Sequence, residues 1–302
     1  MSSTVSPKIK IRYGVGFSYI TIADGSVQPP PDWMIEKQVL QNYEKLIQFK
    51  GNKVKSWCWH FARMIDLIFG LNKEDSFYFE WNPNSMRIIK AFSEHKILSI
   101  SGHASSGKTN ICALIAVIMF WLDPKHTQVL VTSTTVSSSQ SKVWGKVKDA
   151  WNHMVTFMGT HGLTMPGKLI DSKNKIRYQG PEGASELSGI TLVVGEKSQS
   201  KESANKIQGI KQKKVILIGD EFATLEESLI KTALTNLSSN PEFRLLATFN
   251  PESYFDPGGI ISRPVGGWHT VTEDDDEWET LIEPYGIKGY CIRFDGLKSP
   301  NV

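Results

Sequence analysis

Cysteine is scarce in this sequence: Cys58, Cys112 and Cys291 are the only three in 302 residues, odd in number and far apart. That spacing excludes a disulfide framework and a clustered thiolate metal site, and it predicts a reducing compartment. Long apolar runs are absent too. The longest, Ile111 to Leu122, falls short of the roughly 20 residues a membrane-spanning helix needs, and the N-terminus has no charged-then-apolar leader pattern. The expectation is a cytosolic chain with no membrane partner. There is no low-complexity tract and no internal repeat, so disordered, fibrous and solenoid architectures are excluded. What remains, 40% hydrophobic and 22% charged residues with nine Trp, is the composition of a globular protein able to bury a large core.

The net charge of +3 hides an asymmetry. Residues 216–302 hold 6 Lys+Arg against 15 Asp+Glu, which leaves 28 against 16 in residues 1–215, or net values of −9 and +12. A basic first part permits binding of a polyanion such as nucleic acid or a phosphate ligand, although a solvated basic face has the same signature.

Along the chain, residues 1–34 contain Pro29-Pro30-Pro31 and read as a loose arm. From Trp33 to Leu71 apolar residues recur at three-to-four spacing, predicting two amphipathic helices broken near Gly51-Asn52. Residues 1–80 are therefore expected to form an arm and helical cap, with Trp57 and Trp59 on an apolar stripe. After Asn82-Pro83-Asn84 strands and helices alternate, which predicts an α/β domain over 81–285 with a mainly parallel sheet and helices on both faces. Strands are expected at 97–100, 129–133, 191–194, 215–219 and 244–249, and helices after the first strand through Leu122, over 136–157 and over 225–237.

Three segments carry chemistry. The first is Gly102-His103-Ala104-Ser105-Ser106-Gly107-Lys108-Thr109, a phosphate-loop pattern set between an apolar strand and an apolar helix. Consecutive backbone N–H groups and the helix N-terminus there can surround phosphate oxygens, while Gly102 and Gly107 allow the turns. In such a loop Lys108 faces the β- and γ-phosphates and Thr109 gives its hydroxyl to Mg²⁺. The second is the run Val215 to Gly219, which delivers Asp220-Glu221 to a strand's C-terminal end, where open α/β sheets bind ligands. Asp220 suits Mg²⁺ and Glu221 suits the water that attacks a γ-phosphate. The third is Ala247 to Pro251, which sets Asn250 at another strand end, able to hydrogen-bond a γ-phosphate or its water. The expected ligands are ATP and Mg²⁺, with Glu221, Lys108 and Asn250 catalytic.

In order and spacing these segments, with the strand ending Val131-Thr132-Ser133-Thr134-Thr135, resemble the ATPase domain of the phage large terminase subunit over about residues 79–250. The resemblance implies a RecA-like P-loop fold and ATP hydrolysis coupled to translocation of double-stranded DNA into a prohead. It implies work in the host cytoplasm with a portal protein and a small terminase subunit as partners, and assembly as a homo-oligomeric ring. It also implies a C-terminal nuclease domain; the chain stops at Val302, so residues 286–302 read as a linker towards a domain that is absent. The family usually supplies an arginine to the transition state. Here the phosphate loop has none and Gln208-Gly209 stands where Arg-Gly is common, which leaves Lys206, Arg177, Arg244 and Arg263 as basic candidates. Lys142, Lys146, Lys148 and the Lys211 to Lys214 cluster are candidates for DNA phosphates. A helicase-like translocase and a non-hydrolysing nucleotide-dependent scaffold are the alternatives. The guanine-reading pattern Asn72-Lys73-Glu74-Asp75 precedes the phosphate loop, the wrong order for a GTPase.

Overall fold

The computed structural model describes residues 20–21, 27–28, 31–43, 57–70, 73–75, 77–103, 106–133, 142–194, 207, 210–283 and 285–295. The chain divides into two compact units, one of residues 1–79 with 153–164 and one of residues 80–152 with 165–302. The expected domain of 81–285 thus gives up 153–164 to the N-terminal unit.

In the smaller unit a short antiparallel pair, β1 (Ile20–Thr21) and β2 (Val27–Gln28), precedes helices α1 (Asp32–Gln41) and α2 (Trp57–Phe69). The expected break near Gly51-Asn52 lies outside the described residues. Apolar residues at three-to-four spacing on α2, from Phe61 to Phe69, are buried, as an amphipathic stripe requires. Trp57 stacks on Phe61 at 4.6 Å, whereas Trp59 stays exposed with the Arg63 guanidinium over its ring. Between the two helices, Glu36 bonds His60 and Arg63. Residues 153–160 complete this unit: His153 Nε2 lies 2.7 Å from the Ile68 carbonyl, and Phe157 meets Trp33 edge-on.

The larger unit opens with α3 (Pro83–Glu94), where the Asn82 side chain accepts from the Ser85 N–H at 2.9 Å and Pro83 begins the first turn. There follow β3 (Ile97–Gly102), α4 (Lys108–Leu122), β4 (Thr127–Ser133), α5 (Val143–Thr160, which counts to the smaller unit from His153 on), β5 (Gly167–Ile170), β6 (Lys175–Gly180), β7 (Gly183–Val194), β8 (Lys214–Gly219), α6 (Glu227–Leu237), β9 (Phe243–Phe249), α7 (Pro257–Ile261), β10 (Glu277–Ile282) and β11 (Ile287–Phe294). These strands form one nine-stranded sheet in the order β10-β11-β3-β9-β8-β4-β7-β6-β5. The six strands from β11 to β7 are parallel, and β10, β6 and β5 are antiparallel additions at the two edges. The expected α/β, RecA-like P-loop fold is present: the phosphate-loop strand β3 and the Asp-Glu strand β8 are separated by the inserted β9.

Burial explains the order. Strands β3, β4 and most of β8 are buried along their length, the pattern of a sheet covered on both faces, with the apolar runs of β4 and β8 at Val129–Val131 and Val215–Ile218. On one face α4 is apolar all round and buried from Ile111 to Ile118. On the other, Leu229, Ala233, Leu234 and Leu237 of α6 join Val215, Leu217, Leu245 and Ala247 in a single cluster. Among the described residues no helix is long and apolar enough to cross a membrane.

Two expectations need correcting. Residues 286–302, expected to be a linker, begin with β11, which pairs with β3 in parallel from Tyr290–Leu98 to Phe294–Gly102. Cys291, Ile292 and Phe294 are buried there, so this segment is sheet interior; residues 296–302 lie outside the described residues. The strand expected at 191–194 is the end of the much longer β7, which pairs with β6 as a hairpin from Gly183 to Thr191. The expected helix at 136–157 is described from Val143, and at 225–237 a single 3₁₀ turn, Phe222–Thr224, comes before α6.

Candidate functional site

Strand β3 ends at Gly102, and α4 starts at Lys108. A Cβ on Gly102 would come within 2.7 Å of the Phe294 Cβ on β11, so only glycine lets the strand end run this close to its neighbour. Gly107 has φ 79°, the left-handed region, and caps α4. Ala104 and Ser105 lie outside the described residues. The Ser106 hydroxyl donates to the His103 carbonyl at 3.2 Å, and both His103 ring nitrogens are buried without a hydrogen-bond partner among the described residues. Lys108 is buried and its Nζ donates to the Gly102 and His103 carbonyls, each at 2.6 Å. Burial lowers its pKa to about 8, with the negative charge of Asp220 working in the opposite direction.

At the end of β8 the backbone N–H of Asp220 donates to the Thr132 carbonyl on β4 at 2.8 Å, which extends the ladder by one residue. The Asp220 carboxylate is buried and accepts from Thr248 Oγ1 on β9 at 2.8 Å. Burial pushes its pKa up; the Thr248 hydroxyl pulls it down and the neighbouring Glu221 charge pushes it up again. Glu221 has φ 54°, a left-handed conformation that costs a residue with a Cβ roughly 1–2 kcal/mol. The turn is held because Phe222 is fully buried and the Thr224 hydroxyl donates to the Glu221 carbonyl at 2.9 Å. The Glu221 carboxylate itself accepts a hydrogen bond from Lys142 Nζ, just before α5, and that bond raises the Lys142 pKa.

These strand ends and the start of α4 surround one open cavity of about 820 Å³. Lys108, Thr109, Asp220, Glu221 and Asn250 all line it, together with Ser106 and Gly107. Gly102 and His103 belong to the loop but do not line it. Lys142, expected on a DNA-facing surface, lines the cavity instead. Thr248, buried in an apolar strand, is a second residue the motif reading missed; its lone hydroxyl in Leu245-Leu246-Ala247-Thr248-Phe249 was the available signal.

Among the described residues no group of three or more His, Cys, Asp or Glu could hold a metal. One buried carboxylate and one hydroxyl on a common cavity fit Mg²⁺, which keeps several waters and takes its remaining oxygens from substrate phosphates. The basic candidates for a transition-state arginine are engaged elsewhere. Arg244 sits at the far end of β9 and bonds the Phe92 and His95 carbonyls, Arg177 pairs with Glu186, and Arg263 pairs with Glu283. Lys206, Gln208 and Gly209 lie outside the described residues.

No protein-family model and no curated protein sequence matches the chain. Among solved structures it is similar to the large terminase ATPase domain of Thermus phage P74-26, at 15% identity and a TM-score of 0.46 over 77% of this chain and 83% of that one. It is also similar to the large terminase of a thermophilic bacteriophage in complex with ADP, at 16% identity and a TM-score of 0.42 over 58% of this chain and 40% of that one. A third likeness is to the same terminase in complex with ATP-γ-S, at 13% identity and a TM-score of 0.37.

Proposed function

We propose that this chain is the ATPase motor domain of a viral DNA-packaging terminase, hydrolysing Mg-ATP to move double-stranded DNA into a prohead. The observation that supports it is the convergence of Lys108, Thr109, Asp220, Glu221 and Asn250, from one helix start and two strand ends, on a single open cavity. Lys108, in exchanging its loop carbonyls for the β- and γ-phosphates, would neutralise charge at the bridging oxygen. Thr109 and Asp220 would hold Mg²⁺, with Thr248 fixing the Asp220 carboxylate. The ion would screen the phosphate charge and orient the terminal group for in-line attack. Glu221 would polarise the attacking water as general base, and Asn250 would bond the terminal phosphate or that water.

A site without an arginine on its phosphate loop leaves transition-state charge uncompensated, so a neighbouring subunit in a ring is proposed to complete it. Double-stranded DNA, a portal protein and a small terminase subunit are the proposed partners, with sequence-independent phosphate contacts to the DNA. The test is multiple-turnover phosphate release with and without nucleic acid. Turnover with Mg-ATP that rises with double-stranded DNA is expected. Nucleotide binding without turnover at any protein concentration would favour the scaffold, and stimulation by single strands alone would favour the helicase-like translocase.

A further inference from the structure

A second cavity, of about 720 Å³, lies beside the first and shares Phe249 and Glu252 with it. Its volume is that of a small-molecule pocket, yet none of Lys108, Thr109, Asp220, Glu221 and Asn250 lines it. Three aromatic rings do. Trp268 meets Tyr254 at 4.7 Å between ring centroids and Trp278, nearly edge-on, at 6.3 Å. The Trp278 ring is fixed by its Nε1, which donates to the Ser262 carbonyl at 2.7 Å. Tyr254 is 64% exposed and Trp268 is half-buried, so a ligand can reach both.

The lining already holds one organic cation, and the way it does so shows what the cavity accepts. The Arg293 guanidinium lies over the Trp278 ring at 5.6 Å, and its Nη2 donates to the Thr272 and Glu273 carbonyls at 2.8 and 2.6 Å. Trp268 and Tyr254 have no cation over them among the described residues. Charge decides the sign of a further ligand. Glu252 and Glu273 line the cavity, neither carboxylate with a hydrogen bond or ion pair among the described residues, and the chain continues from Glu273 as Asp274-Asp275-Asp276-Glu277. Arg293 is the single basic residue in the lining and is already engaged, so a phosphate or carboxylate is repelled and a cation is drawn in. We propose that this second cavity binds an organic cation, a guanidinium or alkylammonium group that stacks on Trp268 and Tyr254 and is neutralised by Glu252 and Glu273. The rings cover the carbon stem that such a cation carries and attract its charge to their faces. The proposal stands independently of the nucleotide reading of the first cavity.

The experiment is calorimetric titration of the full chain, at physiological ionic strength, with spermidine, with a blocked Gly-Arg-Gly peptide and with its Gly-Gln-Gly counterpart. Both cations are expected to bind, and the neutral peptide at least about tenfold more weakly than the arginine peptide. Tighter binding of spermidine identifies a free polyamine as the source of the cation, and tighter binding of the arginine peptide identifies a side chain presented by a protein segment. Trp268→Ala should weaken the preferred cation about fivefold, with Trp268→Phe keeping most of the affinity, and Glu273→Gln should weaken it about threefold. A loss in Glu273→Gln with none in Trp268→Ala would mean that cations merely gather on an acidic surface, and it overturns the proposal. Equal affinity for the neutral peptide, or no binding of either cation by the wild type, overturns it too. Should Trp268→Ala melt at a lower temperature, Tyr254→Leu removes an exposed ring instead and is expected to weaken binding about threefold, an unchanged affinity there counting against the stacking.

Discussion

Two lysines line one cavity, and their environments shift them in opposite directions. On the phosphate-loop side Lys108 is buried, and desolvation brings its pKa to about 8. On the Asp-Glu side Lys142 is exposed, and its bond to Glu221 raises its pKa. The same residue type is thus a buried, desolvated group in one place and an exposed, ion-paired one in the other. The difference teaches that the loop side of the site is fixed by packing, with α4 buried on every face, whereas the other side is held by a strained turn and an ion pair.

The sharpest way to break this comparison is Lys108→Ala. Removing the ammonium is expected to abolish measurable turnover, a loss of at least about 10³, equivalent to about 4 kcal/mol of transition-state stabilisation. Steady-state phosphate release checks it, and wild-type turnover would mean that the loop holds no phosphate. Glu221→Gln comes next: turnover falls about 10² to 10⁴ because an amide does not take up the proton of water, while the fold and Mg-nucleotide binding persist. Retained hydrolysis in a folded Glu221→Gln protein would place the base elsewhere.

A smaller effect concerns assembly. Because Arg177, Arg244 and Arg263 are bonded away from the cavity, specific activity should rise at least about tenfold with protein concentration or with portal and DNA, as a neighbour supplies a cation. Activity independent of dilution would point to a group within the same chain. His103, whose ring nitrogens are buried and have no hydrogen-bond partner among the described residues, is the first variant to make in that event.

The smallest effect is in pH, and it separates the two lysines. Phosphate binding favours protonated Lys108. Its lowered pKa therefore leaves nucleotide affinity nearly constant from pH 7 to 7.5 and weakens it about tenfold by pH 9, when roughly a tenth of the free protein carries the charge. Lys142, with its pKa raised, stays charged over that window and contributes nothing to the fall. A Kd that does not change up to pH 9 would show that Lys108 keeps its proton through the whole range.

How much of this was legible in the sequence follows from where each residue's partners lie. The phosphate loop, Asp220-Glu221 and Asn250 could be read because each sits at a strand end, and an apolar run followed by a small cluster of polar residues marks that place. The sheet edges could not. Strand β10 is Glu277-Trp278-Glu279-Thr280-Leu281-Ile282, an edge segment with two carboxylates and a threonine in six residues, and β11 mixes Lys288, Gly289 and Arg293 into its run. What makes β11 a strand is parallel pairing with β3, some 190 residues earlier in the chain, a contact no local pattern announces. Lys142 was illegible for the same reason: an isolated lysine at a helix start reads as surface until β8 brings Glu221 to it.

The account's central claim is that three separate segments build one Mg-ATP site, and its most direct test is calorimetric binding of Mg-ATP to Lys108→Ala and Glu221→Gln side by side. The account predicts that Glu221→Gln binds within a few-fold of the wild-type protein held under non-hydrolysing conditions, while Lys108→Ala loses at least about 100-fold, or about 2.7 kcal/mol. Wild-type affinity in Lys108→Ala, or no binding by the wild type at all, would contradict it.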